Sequence, residues 1–378
     1  MYFESKQQGS TIVPSLRQLP FYLIRGMRYH AAKYFYTPRP TYSSLRVTRR
    51  CNSRCIMCMD WRRPPGQKEL TISEVSRIYS NRLFSSLKRI SFSGGEPTIR
   101  DDLVQIAEVI LDSCLQIREM MLITNGFECD LVTERVQELL ALCARRKLRK
   151  LSVSISIDGY GDTHEQIRRV PGAFNKAVTT IKKLRLLKSD VPLYLSSTCV
   201  VQPLNIDSLF DLLQFGNELE LPITLVPVRK PPIANDDGDQ ENSLVLTGEH
   251  REKLRCLLES KLQPYLVPSN ALFWREYFMV NGGSQRVLPC YLLHDFVEID
   301  SDGTLRMCVQ RNDLLCGNAL DEPPDKIWYS NKAREIRKVS RDKYCRDCAD
   351  CCDLDTALKE EFFYYAGHWL KEKLGVFS

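Results

Sequence analysis

Short apolar runs alternate with amphipathic segments of helical length from residue 45 to about residue 228. The apolar runs cover residues 45–48, 90–92, 121–123, 151–157, 193–201 and 223–228. Between them lie the helical candidates 72–83, 103–111, 131–142, 173–187 and 206–219. This strand–helix alternation predicts an α/β fold with a parallel sheet and right-handed crossovers. Six such units are expected to form a partial (β/α)6 barrel rather than a closed barrel of eight.

Polar or glycine-rich motifs follow the first four predicted strands. In order, they are the CxxxCxxC motif of residues 51–58, SGGEP at 93–97, TNG at 124–126 and SIDG at 156–159. The carboxyl ends of parallel barrel strands share one face, and the active site is built there. The sequence therefore predicts that the four motifs meet at one functional site.

The thiols of Cys51, Cys55 and Cys58 are the chemical centre of that prediction. Thiolates gathered in one compact loop select soft metals or iron–sulfur clusters. Three thiolates on a four-iron cluster leave one iron open to a further ligand. A zinc knuckle is the alternative, but it needs a fourth Cys or His nearby, and none occurs between residues 61 and 72.

Together, these motifs resemble the signature of the radical S-adenosylmethionine (SAM) superfamily. The resemblance implies a [4Fe-4S] cluster on Cys51, Cys55 and Cys58, with SAM bound to the open iron through its amino and carboxylate groups. It also implies SAM contacts from Met57, Gly94, Gly95, Glu96, Pro97, Ser156 and Arg168. Met57 stands where the family usually has an aromatic residue, and Arg169 is an adjacent alternative for the carboxylate contact.

A second group of cysteines occupies the last quarter of the chain. Residues 296–306 predict a hairpin with an Asp-Gly turn. Gly303 and Cys308 have GxxxxC spacing, and Cys345 and Cys348 form a CxxC pair. These features resemble the C-terminal SPASM and Twitch domains found in the same superfamily.

That second resemblance implies one auxiliary [4Fe-4S] cluster, because the seven cysteines of a full SPASM domain are not all matched. Its four ligands would be Cys290, Cys308, Cys345 and Cys348. Three neighbouring cysteines are left open as alternative ligands or as ligands of a second, irregular cluster site: Cys316, Cys351 and Cys352. A structural zinc site on the same four sulfurs is the competing interpretation.

The composition is that of an ordinary globular protein. Of 378 residues, 43% are apolar and 26% are charged, and 53 basic against 47 acidic residues give a net charge of +6. This balance does not call for a nucleic-acid partner, and no stretch reaches the length of a membrane span. Fifteen cysteines, with no cleavable signal peptide, predict metal or cluster binding in a reducing compartment, the cytoplasm.

The predicted domains follow from these features. They are an N-terminal extension (1–40), a radical SAM core barrel (41–230), a linker with a helical segment (231–285), an auxiliary iron–sulfur domain (286–355) and a C-terminal helix (356–378). The extension is expected to be a helix against the main domain rather than a membrane-surface or partner site. The aromatic stretch at 273–278 is expected to pack in a core, as are Cys114, Cys129, Cys143, Cys199 and Cys256.

The implied reaction is that of the superfamily. A reductant such as flavodoxin or ferredoxin would supply one electron, SAM would be cleaved to a 5′-deoxyadenosyl radical, and that radical would abstract hydrogen from a substrate C–H bond. The auxiliary cluster would transfer electrons during modification or oxidation of a peptide or protein. The alternatives are a dehydrogenase or epimerase acting on a sugar or alcohol, and a non-catalytic zinc or cluster scaffold. No residue is predicted as a general acid or base.

Overall fold

The computed structural model describes residues 35–58, 60–62, 68–228, 244–266, 268–286, 290, 292–309, 311 and 313–348, together with residues 20, 24, 26, 27 and 31. The chain divides into two compact units. One comprises residues 39–267 and 295–339, and the other comprises residues 1–38, 268–294 and 340–378. The predicted linker at 231–243, the C-terminal helix, Cys351, Cys352 and most of the N-terminal extension lie outside the described residues.

The first unit contains a sheet with nine described strands in the order β6-β5-β4-β3-β2-β1-β7-β8-β9. The strands are β1 Tyr42–Thr48, β2 Arg89–Gly94, β3 Glu119–Thr124, β4 Lys150–Ser156, β5 Leu193–Val201, β6 Ile223–Pro227, β7 Phe296–Ile299, β8 Thr304–Arg306 and β9 Leu315–Asn318. Strands β1 to β6 pair in parallel with their neighbours. The predicted α/β class and partial six-stranded barrel are confirmed.

Along the chain, helices lie between the strands and after the last strand, β9. They are α1 Ile72–Tyr79, α2 Leu103–Ser113, α3 Cys129–Arg145, α4 Asp162–Arg168, α5 Ala173–Arg185, α6 Leu209–Glu218, α7 Gly248–Leu257, α8 Pro268–Asn281, α9 Leu292–Asp295, α10 Pro324–Tyr329 and α11 Asn331–Val339. No helix in these ranges is both long and apolar enough to cross a membrane.

The two faces of the sheet differ in chemistry. Leu45, Phe92, Leu122 and Val153 lie in register on neighbouring strands and are fully buried, so they form the core between the sheet and its helices. The alternate positions carry mostly hydroxyl-bearing and charged side chains. We call this second side the polar face.

Two helical predictions were too long. The segment 72–83 ends as an α-helix at Tyr79, because Asn81 adopts an extended backbone and its side chain caps a separate 3-10 turn, Arg82–Ser86. The segment 206–219 begins as the 3-10 turn Pro203–Ser208 and becomes α-helical only at Leu209.

The hairpin predicted at 296–306 is confirmed, since β7 and β8 pair antiparallel through Glu298 and Arg306. Its position in the sheet was not predicted. Strand β7 pairs in parallel with β1, from Tyr42 opposite Phe296 to Leu45 opposite Ile299. The region expected to be a separate auxiliary domain therefore contributes three strands to the same sheet as the barrel.

The aromatic stretch in α8, in the second unit, packs as predicted. Phe273, Trp274 and Tyr277 are buried, and the Trp274 and Tyr277 rings lie 5.0 Å apart in an edge-to-face arrangement. The core prediction for Cys256 is wrong, because this thiol is exposed on α7. Cys114, Cys143 and Cys199 are buried as expected, and Cys129 is half-buried.

Candidate functional site

The loop that carries the CxxxCxxC motif leaves β1 and lies against the end of α4. The backbone N–H of Ile56 donates to the carbonyl oxygen of Ile167 (3.0 Å), and that of Arg54 donates to Arg168 (3.4 Å). The indole Nε1 of Trp61 donates to the carbonyl oxygen of Cys55 (3.0 Å). The path of the loop is thus fixed by main-chain contacts.

The three cysteines of this loop are free thiols; Cys55 is buried, and Cys51 and Cys58 are half-buried. Burial, with smaller effects from Glu96 and the neighbouring thiols, raises the pKa of Cys51 to about 12. Burial and the Asp60 carboxylate raise the pKa of Cys58. A thiol must lose its proton to bind metal, so a bound cation is required to hold these sulfurs as thiolates. A donor set of three soft sulfurs fits an iron–sulfur cluster.

A site for a single ion is a separate question. In a tetrahedral zinc site, Zn–S bonds of about 2.3 Å bring all four ligand atoms tightly together. Among the described residues, no three His, Cys, Asp or Glu side chains converge to hold one metal ion.

Gly94 and Gly95 allow the exit of β2 to touch the cysteine loop backbone to backbone. The N–H of Gly95 donates to the Thr48 carbonyl oxygen, and the N–H of Glu96 donates to that of Arg50, both at 2.8 Å. A Cβ atom on Gly94 would lie 2.1 Å from the Thr48 oxygen, and one on Gly95 would lie 2.1 Å from the Arg50 oxygen. Gly94 also has φ of 135°. Only glycine permits this approach.

The Glu96 carboxylate is buried and joins the ends of β2 and β3. One oxygen accepts from the Thr98 and Thr124 hydroxyls (2.7 and 2.8 Å), and the other accepts from the backbone N–H of Asn125 (2.7 Å). Burial raises the pKa of Glu96, and these hydrogen bonds oppose the shift. The side chain thus orders the site; its predicted contact with SAM stays a prediction, as does that of Pro97 in the turn that follows.

Asn125 connects the third motif to the cysteine loop. Its Nδ2 donates to the Oδ1 of Asn52 (2.7 Å) and lies 3.9 Å from the Cys51 sulfur. Its Oδ1 accepts from the backbone N–H of Phe127 (3.0 Å), which fixes the orientation of the amide. Because the loops after β1, β2 and β3 touch, these motifs meet as predicted.

The fourth motif reaches the same loop through an ion pair. The Nε of Arg168 lies 2.6 Å from Oδ2 of Asp158, and Nη1 of Arg168 donates to the Cys55 sulfur at 3.5 Å. Burial by itself would lower the pKa of Arg168, but the charges of Asp158 and Cys55 outweigh it and raise that pKa above its ordinary value. Arg169 points elsewhere, with its guanidinium 6.0 Å from the ring of Trp61.

His164 lies behind this ion pair and is neutral. Its Nδ1 accepts from the backbone N–H of Asp158 at 2.9 Å, so the ring proton is on Nε2. Burial, followed by the nearby charge of Arg168, lowers the pKa of His164 to about 3. The ring packs edge-on against Phe127 and Phe174 and supports the loop instead of exchanging protons.

Ser156 and Met57 make no side-chain hydrogen bond among the described residues. Ser156 ends β4 on the polar face, half-buried, and its hydroxyl makes no hydrogen bond within the described ranges. Met57 is half-buried in the cysteine loop. Their SAM-binding roles, like those of Gly94, Gly95 and Arg168, remain predictions.

The polar face beside this site is rich in hydroxyl groups. In register across β1, β2, β4, β5 and β6 lie Ser44, Ser91, Ser93, Ser152, Ser154, Ser156, Ser196, Thr198 and Thr224. Ser154 hydrogen-bonds with Thr198 (3.2 Å). Ser152, Ser196 and Thr224 have no hydrogen-bond partner among the described side chains and are half-buried.

The charged side chains of the polar face are already paired. Lys150 lies 3.2 Å from Glu119, and the guanidinium of Arg89 lies 4.6 Å from the ring centre of Tyr42. Towards β7 and β8 there is a buried network, in which Asp300 contacts Arg49 and Arg306, Glu298 contacts Arg306, and Asp60 contacts Arg46. The face therefore has no surplus of unpaired cations in the described part of the chain.

The predicted auxiliary ligands fall in different parts of the chain. Cys308 follows β8 in the first unit and is half-buried. Cys290, Cys345 and Cys348 belong to the second unit and are also half-buried. Cys316, on β9, is buried, and burial raises the pKa of its thiol to about 11. The auxiliary ligand set remains a prediction.

Sequence reasoning gave no role to Asp158 and Asn125, although both lie within motifs that it singled out. It also gave none to Ser53, whose hydroxyl donates to the Arg168 carbonyl oxygen (3.0 Å). Their functions depend on which loops touch, and motif spacing does not report that.

Comparisons with known proteins agree with this site. The profile of the radical SAM superfamily matches residues 45–216, and that of an iron–sulfur cluster-binding domain, SPASM, matches residues 287–352. The AdoMet-dependent heme synthase of Methanosarcina barkeri is 29% identical over 83% of this chain and 92% of its own length. A GTP 3',8-cyclase of Clostridium perfringens is 28% identical over 50% of this chain, which spans only 56% of that relative.

Solved structures share the fold. The structure of anSMEcpe with bound AdoMet has a TM-score of 0.60 at 16% identity, covering 89% of this chain and 100% of that one. Streptococcus suis SuiB bound to S-adenosylmethionine has a TM-score of 0.57 at 14% identity, covering 89% and 77%. The two domains imply SAM, a SAM-binding [4Fe-4S] cluster and an auxiliary cluster. Because both profiles match in order and the fold agrees, the chain belongs to the radical SAM superfamily and is a radical SAM enzyme with a C-terminal SPASM domain.

Proposed function

We propose that this enzyme modifies a peptide or protein segment by abstracting a hydrogen atom from one of its C–H bonds. When bound together, a reduced four-iron cluster and SAM supply the 5′-deoxyadenosyl radical that makes such an abstraction feasible. The observation that carries the peptide assignment is the row of hydroxyl groups on the polar face.

The spacing of these hydroxyls suits an extended chain. Ser152, Ser154 and Ser156 lie two residues apart on β4 and on the same face. At about 3.3 Å per residue, the row is about 13 Å long, and its repeat of about 6.6 Å equals that of the same-side amides of an extended peptide. The neighbouring row on β5, Ser196 and Thr198, lies in register with it. Two adjacent rows of this kind can hold a peptide main chain along its length.

The charge of the polar face supports an uncharged substrate. Its cations are paired with carboxylates or stacked on aromatic rings, as in Lys150 with Glu119 and Arg89 with Tyr42. A nucleoside triphosphate or another polyanion needs unpaired Arg or Lys side chains to compensate its charge. The similarity to GTP 3',8-cyclases covers half of the chain, and we do not extend their substrate to this protein.

We assign the remaining roles to individual residues of the site. We assign Cys51, Cys55 and Cys58 to hold the cluster, with the fourth iron left to SAM. Asn125 and Glu96 hold the loops around it. In this assignment Cys290, Cys308, Cys345 and Cys348 would bind the auxiliary cluster, which would be available to accept an electron from the substrate radical. A low-potential carrier such as flavodoxin or ferredoxin supplies the first electron.

A small-molecule substrate is the second candidate. It is favoured by the M. barkeri heme synthase, because that similarity covers 83% of this chain and 92% of the relative's length, well beyond the residues of the radical SAM profile. A substrate related to heme would bring carboxylates to the polar face. The two candidates thus differ in charge and can be separated by direct assay.

The experiment is anaerobic reconstitution of the full chain followed by a substrate screen. Iron, sulfide and zinc are counted, and 5′-deoxyadenosine is measured with dithionite as reductant in the presence of peptide pools, sugars or tetrapyrroles. We expect about eight irons per chain, which corresponds to two four-iron clusters, and an increase in 5′-deoxyadenosine with peptides. Mass spectrometry of the peptides then locates the change.

Cys55→Ala is the test variant, and Cys114→Ala is its matched control, because Cys114 is a buried cysteine at the end of α2, outside the four motifs, and its thiol donates to the Tyr79 carbonyl oxygen. Cys55→Ala should lose about four irons and all SAM cleavage, whereas Cys114→Ala should lose neither. Zinc in place of iron, or SAM cleavage that responds to tetrapyrroles and not to peptides, would refute the proposed function.

A further inference from the structure

The three sulfurs of the CxxxCxxC loop have different surroundings. Cys55 is 6% exposed and receives a hydrogen bond from the charged guanidinium of Arg168, with Nη1 at 3.5 Å from the sulfur. Cys51 has the neutral amide of Asn125 at 3.9 Å from its sulfur and a backbone hydrogen bond from Ser53. Cys58 has a backbone hydrogen bond from Asp60 and the nearby charge of Arg46. A hydrogen bond from a charged donor is about twice as strong as one between neutral groups. Among the described residues, Cys55 is therefore the sulfur that accepts a hydrogen bond from a charged guanidinium, whereas Arg46 acts on Cys58 through its charge.

Ser53 does not compete for this role. Its hydroxyl lies 3.0 Å from the Cys55 sulfur and 3.0 Å from the carbonyl oxygen of Arg168. The carbonyl can only accept, so the single hydroxyl proton of Ser53 is engaged there. In the free protein the Cys55 thiol can donate to Ser53, but a metal-bound thiolate has no proton to give. The guanidinium then remains the donor to that sulfur.

Asp158 fixes Arg168 in this position. It is fully buried, and its Oδ2 lies 2.6 Å from Nε of Arg168. Its Oδ1 accepts from the backbone N–H of Val200 (2.8 Å), and its carbonyl oxygen accepts from Nδ2 of Asn205 (2.6 Å). The contact with Arg168 is an ion pair and not an aligned hydrogen bond, because Nε and Oδ2 have no aligned partner in the described structure. Asp158 is thus anchored through one carboxylate oxygen and its backbone carbonyl oxygen, and its other carboxylate oxygen holds the guanidinium against Cys55.

We propose that Arg168, positioned by Asp158, donates a charge-assisted hydrogen bond to the Cys55 thiolate and thereby raises the reduction potential of the cluster. Hydrogen bonds to the sulfurs and local charge are among the determinants of iron–sulfur potentials. A low-potential one-electron donor would add one negative charge to the bound cluster, and the adjacent guanidinium would stabilise that charge.

This role is distinct from a contact between Arg168 and SAM. No described residue hydrogen-bonds to Nη2 of Arg168, so one edge of the guanidinium is left for a carboxylate while Nη1 faces the sulfur. A residue that acted on SAM alone would leave the potential of the SAM-free cluster unchanged. The inference rests on the cluster at Cys51, Cys55 and Cys58 and is independent of the substrate.

The test is a redox titration of the reconstituted full-length protein without SAM or substrate. The protein is poised with dithionite and mediator dyes, and the reduced cluster is followed by electron paramagnetic resonance. The signal of this cluster is the one that disappears in Cys51→Ala. Arg168→Gln should lower the equilibrium constant for one-electron reduction by about tenfold, which is a fall of about 59 mV.

Arg168→Gln leaves the Asp158 carboxylate buried without its partner, so a second variant is needed. Asp158→Asn/Arg168→Gln removes both charges, keeps the site neutral and isolates the hydrogen bond to sulfur. It should lower the midpoint in the same direction by a smaller amount. Arg168→Lys keeps the charge and should fall between wild type and Arg168→Gln.

The matched control is Arg169→Gln, because Arg169 is the adjacent arginine and lies over Trp61 instead of a cysteine. Its midpoint should equal that of wild type. If the double variant binds the full complement of iron and titrates at the wild-type potential, the proposal is overturned. If Arg168→Gln shows the expected fall in midpoint potential but the wild-type enzyme turns over no peptide, this inference stands and the proposed substrate is refuted.

Discussion

Replacing Gly95 with alanine inserts a methyl group between two main-chain segments that touch. The new Cβ would lie 2.1 Å from the carbonyl oxygen of Arg50, 2.7 Å from its carbonyl carbon and 2.8 Å from the oxygen of Arg49. To reach 3.0 Å, the shortest distance that real Cβ atoms show, the Arg50 oxygen must move by at least 0.9 Å. That oxygen belongs to the residue immediately before Cys51.

The cost follows from what has to move. Inserting one methyl group into a packed site costs about 1–3 kcal/mol. Here the obstacle is backbone, and its hydrogen bond to the N–H of Glu96 (2.8 Å) would be lost or stretched. We therefore expect Gly95→Ala to lower the free energy of unfolding by about 3 kcal/mol, the upper end of that range. At an m value of about 3 kcal/mol/M, this moves the urea midpoint by about 1 M.

The assay is urea unfolding of the metal-free protein, followed by far-UV circular dichroism, together with iron content after reconstitution. Gly248→Ala is the control, because a Cβ there would meet nothing within 4 Å, and it should unfold like wild type. A loss below about 1 kcal/mol in Gly95→Ala, with unchanged iron content, would show that the glycines are not required for this loop contact.

Three further predictions concern charge, pH and metal retention. Asp300→Ala leaves the guanidinium groups of Arg49 and Arg306 without their buried carboxylate, and we expect a loss of about 3–5 kcal/mol in urea unfolding. His164 has a folded pKa of about 3 against 6.5 for the ordinary group, so the unfolded chain binds the proton first as pH falls. The free energy of unfolding is therefore unaffected by this group above pH 6.5 and falls by about 1.4 kcal/mol per pH unit below it. His164→Phe should unfold with a correspondingly weaker pH dependence between pH 7.5 and 5. Asn125→Ala removes the amide that connects two motif loops, and we expect iron to be lost to a chelator about tenfold faster.

Each of these has an outcome that contradicts it. Asp313→Ala, which removes an exposed carboxylate paired with Arg311, should cost under about 1 kcal/mol, and an equal loss in Asp300→Ala would refute the buried-network argument. A pH dependence in His164→Phe identical to wild type would contradict the neutral buried histidine. Asn217→Ala, at an exposed asparagine, should release iron at the wild-type rate; Asn125→Ala matching it would show that the loop connection is dispensable.

Much of the fold could be predicted because each strand and its motif are contiguous in sequence. Residues 45–48 and 90–92 alternate with helical segments, and that local pattern is sufficient to indicate a parallel sheet. The pairing of β7 with β1 could not be predicted, because it joins Tyr42 to Phe296 across most of the chain and no local pattern encodes it. The early end of α1 was also not predicted, because the Asn81 side chain caps a separate 3-10 turn that follows the helix.

The error at Cys256 has a geometric cause. On α7 the buried position is Leu254, and a residue two positions further along a helix lies about 200° around its axis. Cys256 therefore faces solvent even though cysteine is a residue type that is usually buried. For the site, residue identity within each motif could be recognised, but the partner of each side chain could not. Asp158 shows this, since its role depends on a contact with Arg168 that only the folded structure reveals.

The antiparallel turn at β8 has a consequence for the route of electrons. Cys51 follows the carboxyl end of β1 at Thr48, whereas β8 runs the other way and ends at Arg306, opposite Glu298 and therefore level with Ser44 on β1. The four steps from Ser44 to Thr48 separate the two strand ends by about 13 Å. Under the proposed ligand assignment, Cys51 and Cys308 would serve electron entry and electron exit beyond opposite ends of the sheet.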